Sequence, residues 1–121
     1  MRFMILAKAT PQTEAGVMPE EKLVARVADY HEQLARAGVL LDAAALQPSA
    51  KGWRSRDAGG QRTLARGPFA ECKQLVAGYT LIEVRSTEEA LEWTRRYPAT
   101  MDGAAAGEID LRECVSRSSG A

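Results

Sequence analysis

His31 is the only histidine in the chain, and so the one side chain whose unperturbed pKa lies close to neutrality. Proton transfer at neutral pH needs such a group. It follows Tyr30 in a segment, Glu20 to Ala37, where Leu23, Val27, Tyr30 and Leu34 recur at helical spacing. At roughly 100° per residue, His31 falls about 60° from the centre of that stripe. An imidazole there stands at the edge of a buried face and can look into a cleft. The plainer alternative is a histidine on the solvent edge of an amphipathic helix. Asp42, on the next predicted strand, is the nearest later carboxylate, and a His31–Asp42 pair would orient the ring as a general base.

A second group of chemically capable residues follows the turn Gly67-Pro68. Glu71 and Lys73 flank Cys72; in an extended segment the two charges share a face and can meet a polar or anionic ligand. A solvated edge or an ion pair between subunits serves them equally well. Cys72 would need a lowered pKa to act as a nucleophile, and no base stands beside it. Phe69 and Tyr79 are packing residues or the lining of an apolar pocket, with the tyrosine hydroxyl as an orienting group. Lys51, Arg54, Arg56, Arg62 and Arg66 gather around Trp53 with only Asp57 opposing them. Such a cluster suits a solubilising hairpin, a phosphate-bearing ligand, or nucleic acid stacked on the indole.

The elements that must position these groups are readable from periodicity. "RFMILAKA" is apolar on both faces, Phe3, Ile5 and Ala7 on one and Met4 and Leu6 on the other, as in a central strand. "TPQTEAGVMPEE" reads as a polar loop, and Gly38 stands where a helix C-cap belongs. "VLLDAAALQP" is a strand stopped by Pro48, and Gly59-Gly60 joins two polar runs as a hairpin. In "LVAGYTLIEV", Thr80, Ile82 and Val84 alternate with Tyr79, Leu81 and Glu83. "STEEALEW" opens a capped helix that ends before Pro98, with Ala90, Trp93, Thr94 and Tyr97 to one side. "GEIDLRECV" alternates as a final strand.

The order β-α-β, hairpin, β-α-β predicts an α+β, ferredoxin-like split βαβ with an inserted β-hairpin, in one domain over residues 1–121. Helices cover one sheet face. Met4, Leu6, Tyr79 and Leu81 are candidates for the other, which a second copy would cover to give a dimeric α+β barrel.

Composition narrows the function. The chain has 121 residues, 45% apolar, with 16 cationic and 16 acidic side chains. It is large enough to bury a core unaided and has no net field to recruit nucleic acid or an anionic membrane. The apolar start, Met1 to Ala9, has a strand's length and lacks a long apolar region and a cleavage site, and no apolar run approaches a bilayer span. A cytoplasmic protein is expected. Cys72 and Cys114 are far apart and read as reduced thiols, and with one histidine they cannot complete a zinc site. No metal and no cofactor are expected.

Four pieces, "AGVLLDAAALQP", "KGWRSR", "RGPFAECKQLVAGYTLIEV" and "EEALEWTRRYPA", together resemble the DGPF branch of the YCII-related family. The third is the specific one. The resemblance implies a ferredoxin-like domain that forms dimeric α+β barrels, some relatives with a His–Asp pair proposed to act in catalysis. One relative is a dehydrochlorinase of aromatic substrates, and many members are encoded beside extracytoplasmic-function sigma factors. Two departures stand out. Arg66 replaces the acid that names the motif, and Ala43 to Leu46 replace a Gly-rich stretch. Arg66 puts in question any role that needs a carboxylate at the turn, and the added methyl groups would narrow a nearby cavity.

The favoured reading is a non-catalytic homodimer that binds a small molecule or a protein partner. Its candidate contacts are Tyr30, Arg66, Phe69, Glu71, Lys73 and Tyr79. The alternative is a small lyase or isomerase acting on an apolar or aromatic acid, with His31 as base and Asp42 behind it. A nucleic-acid role for the basic hairpin ranks below both.

Overall fold

The computed structural model describes residues 1–71, 74–98 and 107–116. Along the described residues run β1 (Arg2–Lys8), α1 (Pro11–Glu14), α2 (Glu21–Arg36), β2 (Leu40–Ala45), a 3-10 turn (Ser49–Lys51), β3 (Trp53–Ala58), β4 (Gln61–Arg66), β5 (Val76–Glu83), α3 (Thr87–Arg95) and β6 (Ile109–Glu113). Four strands form an antiparallel sheet in the order β2-β5-β1-β6, and β3 and β4 form a two-stranded sheet of their own. This is the ferredoxin-like split βαβ with an inserted hairpin. The two strands read as apolar on both faces or strongly alternating, β1 and β5, are the central pair.

Local chemistry explains the boundaries. At the end of α2, Gly38 adopts φ +75°. Its N–H donates to Ala35 O at 3.0 Å and that of Val39 to Leu34 O at 3.1 Å, the paired bonds of a Schellman cap that only a residue tolerant of positive φ closes cheaply. Ser86 caps α3 by accepting from Glu89 N. Gly59 and Gly60 both have positive φ, as a two-residue hairpin turn of matching twist requires.

The core lies between the sheet and the two longer helices. Phe3, Ile5, Tyr30, Leu34, Val39, Ile82, Val84 and Ala90 form one buried cluster, with Ile109 and Leu111 packed against it. Each large side chain removed from water stabilises by roughly 1.5–3 kcal/mol. Thr80, Ile82 and Val84 face this core as their alternation predicts. On the opposite face Met4 pairs with Leu81 and Leu6 with Tyr79, all four only half-buried.

One expectation needs correcting. The segment read as a polar loop contains α1, whose capping box joins Thr10 and Thr13 around Pro11 at the first turn. It has a mechanical use. Glu14 accepts from Ser49 N at 2.9 Å and from the Ser49 hydroxyl, and Ser49 Oγ accepts from Phe69 N at 3.0 Å. Gly67 N donates to Gly52 O at 2.9 Å. The Gly67–Pro68 peptide is cis, and a Cβ at Gly67 would overlap the Ser49 carbonyl. The signature turn is thus a knot of three loops, built for close backbone approach.

Candidate functional site

The N-terminal half of α2 and the sheet end beneath it do not close on each other. From the helix come Leu23, Val27 and His31; from the sheet come Ala43, Ala45 and Gly78, and Tyr97 beyond α3 stands at the side. The open cleft between them has a volume of about 490 Å³, within the usual range of small-molecule sites. The gap has a sequence cause. Ala45 pairs with Gly78 and Ala43 with Thr80, so the floor has small side chains where the rest of the sheet has Phe3, Ile5 and Ile82.

His31 is a polar group of defined orientation on the helix side of this apolar wall. Its Nε2 lies 2.9 Å from Thr80 Oγ1, and Thr80 is 1% exposed, so the contact fixes the ring from beneath. Burial holds the His31 pKa below its ordinary value, which keeps the imidazole neutral at pH 7. A neutral ring with one nitrogen on a hydroxyl keeps the other to accept or donate a hydrogen bond. Tyr97 adds a phenol whose pKa burial raises, so it stays protonated as a donor.

The expected His31–Asp42 pair does not form. Asp42 accepts from Tyr79 Oη at 2.9 Å and from its neighbour Ala43 N at 2.9 Å. The reason is a β-bulge. Leu40 pairs with Ile82 and Asp42 with Leu81, so the extra residue Leu41 shifts the alternation. Asp42 is thereby turned to the outer face, away from the helices, while Ala43 takes the inner position beside Thr80. The Tyr79 pKa is raised, first by its hydrogen bond to Asp42.

The other expected contacts are scattered. Tyr79 borders the cavity with His31, but its hydroxyl is turned to Asp42 on the outer face of the sheet. Tyr30 does not; it is 3% exposed in the core, its hydroxyl donates to Trp93 O at 2.6 Å, and burial raises its pKa. Arg66 sits over the Trp53 ring at 5.5 Å, and the Phe69 ring is covered by Arg54 at 4.0 Å. Glu71 is exposed, and its carbonyl accepts from Gln74 N. Lys73 and Cys72 lie outside the described residues; Cys114 is a free, half-buried thiol. Sequence reasoning missed Thr80 and Tyr97 as site residues, since each reads as an ordinary packing position. The available signal was the run Ala43-Ala44-Ala45, all three of which border the cavity.

No described helix is long and apolar enough to cross a membrane. The sequence pattern of the YCII-related domain matches residues 1–110. An uncharacterized protein from Rhizobium meliloti (strain 1021) is 30% identical over 76 residues, which cover 63% of this chain and 61% of that relative's length. Among solved structures, 5-chloro-2-hydroxyhydroquinone dehydrochlorinase from Burkholderia phenoliruptrix AC1100, in complex with 2,5-dihydroxybenzoquinone, aligns over 91% of both chains at 18% identity and a TM-score of 0.48.

Proposed function

The chain belongs to the YCII-related family, and from that premise we propose that it is a homodimeric protein binding a small apolar or aromatic molecule between α2 and the sheet, without transforming it. One observation carries this reading: a cavity of about 490 Å³ with apolar walls and an oriented, neutral His31. Apolar walls provide affinity by burying ligand surface. His31 and Tyr97 select one hydrogen-bonding group on the ligand. With Asp42 on the other face of the sheet, His31 has no carboxylate partner among the described residues to raise its basicity, and this favours binding over proton transfer. The half-exposed outer row of Met4, Leu6, Tyr79 and Leu81 is suited to a second copy, whose own row would complete the burial.

The test is a calorimetric and thermal-shift screen of small aromatic compounds, each bearing one hydroxyl, carbonyl or carboxyl group. A true ligand raises Tm saturably, by about 2.7 kcal/mol of added stability at a hundredfold excess over Kd, and His31→Ala weakens it. Binding that His31→Ala leaves untouched would remove this site from consideration.

A second reading has one observation in its favour. His31 is neutral and fixed by Thr80, the state a general base needs before it takes a proton. Loss of a ligand C–H signal in deuterium oxide, dependent on His31, would make the protein a lyase or isomerase. Light-scattering mass in solution tests the dimer, which a persistent monomer would refute.

A further inference from the structure

The β3–β4 hairpin is nearly free of its own body. Its register runs from Trp53↔Arg66 to Ala58↔Gln61, and every residue of both strands except the half-buried Arg54 is exposed. A two-stranded ribbon is marginally stable by itself, so one this exposed needs something to lie against. Its faces differ. Arg54 packs on Phe69, which turns the face shared by Arg54 and Arg56 toward the base of the arm. The other face holds Trp53 and Leu64, 60% and 70% exposed. They are diagonal neighbours there, since Ser55 pairs with Leu64. On this second face Arg62 is paired with Asp57 at 2.9 Å and Arg66 lies over Trp53 with its charge retained, while Lys51, Arg54 and Arg56 leave the arm as a whole basic. An aromatic and a leucine framed by arginines have the make-up of a protein-binding surface, not of a row of free cations awaiting phosphates.

Charge identifies the partner. From Lys51 to Arg66 there are five cations and one carboxylate, a net of +4, in a chain whose 16 cations equal its 16 carboxylates. The rest of the chain therefore carries −4. Each copy offers a basic arm and an acidic body, the complementarity that steers like chains together. We propose that the β3–β4 hairpin is a docking arm that lays its Trp53–Leu64 face on the acidic body of a second copy of this chain. This contact is separate from the outer sheet face, so either can fail without the other.

A photoreactive benzoylphenylalanine in place of Leu64, in the full chain, tests it. The expected product is a covalent dimer whose crosslinked peptides lie outside residues 51–66, with a yield that falls as salt is raised. Crosslinks confined to one chain, or joining hairpin to hairpin, overturn the proposal. A second measurement uses the variant carrying Trp53→Ser and Leu64→Ser, whose changes lie on the exposed ribbon and spare the core. Self-association followed by sedimentation should weaken roughly tenfold. An unchanged dimer would assign association to the outer sheet face alone and reject the arm. Quenching of Trp53 fluorescence by single-stranded DNA at low salt, with no intermolecular crosslink, would instead make the hairpin a nucleic-acid arm and reject it equally.

Discussion

The two halves of α2 carry one continuous apolar stripe and meet opposite fates. Toward the C-terminal end, Tyr30 and Leu34 are 3% and 0% exposed, packed in the cluster with Phe3, Ile5 and Ile82. Toward the N-terminal end, Leu23 and Val27 look across about 490 Å³ at Ala43, Ala45 and Gly78. Helical periodicity is the same in both halves. What differs is side-chain volume on the facing strands, and a rigid helix anchored at its C-terminal half cannot tilt in to fill the shortfall. A pocket therefore follows from where the sheet is small. The helix itself is ordinary.

Leu34→Ala is the harshest test of that contrast. It removes a fully buried side chain from a close-packed cluster and is expected to cost about 2–5 kcal/mol, read from urea denaturation. A loss below about 1 kcal/mol would mean that the sealed half is not sealed. Next comes a pair of enlargements. Ala90→Leu inserts volume at a residue with 0% exposure and should cost about 1–3 kcal/mol. Ala43→Leu places the same atoms in the open half and should change stability by less than about 1 kcal/mol while abolishing ligand-induced stabilisation. Equal destabilisation by the two would erase the distinction between the halves.

Much of this was legible beforehand, and the exceptions have physical causes. The limits of α2, the Gly59-Gly60 turn and the inward set Thr80, Ile82 and Val84 each rest on local chemistry that periodicity or a cap reports. The family resemblance was carried by the Gly67-Pro68-Phe69 stretch, whose structural use is close approach to Ser49. Asp42 was misplaced because a single bulge reverses strand parity, and "VLLD" does not reveal which residue is the extra one. Thr80 is not legible as the partner of His31, because a threonine in a strand also signals mere β-propensity. The pocket itself depends on the pairing of β2 with β5. "DAAA" becomes a floor only when its register against Gly78 is known.

His31 sits at the boundary between the halves and should report on it through pH. Burial lowers its folded pKa below the unfolded value of 6.5, so the unfolded chain binds the proton more tightly. Stability is then fully present above pH 6.5 and declines as pH falls from there through the lowered folded pKa. His31→Leu should flatten that decline in thermal melts between pH 7 and 5. A bound ligand that donates to the acceptor nitrogen of the neutral ring should deepen it, because protonation removes that acceptor. A wild-type curve identical to that of His31→Leu would place the imidazole in bulk water, outside the cavity wall.

Val27→Ala is the smallest effect and the finest probe of the open half. Val27 is half-buried and borders the cavity, so its methyl groups have few partners to lose. Truncation there removes part of a transfer term of roughly 0.8 kcal/mol per methylene and adds little cavity energy, because the space beside it is already empty. A loss below about 1 kcal/mol is expected, well under that of Leu34→Ala on the same helix. The ligand site would widen, and larger aromatic compounds should gain in binding relative to smaller ones. A loss comparable to Leu34→Ala would mean that Val27 is packed as tightly as the core, leaving no room for a ligand beneath the helix.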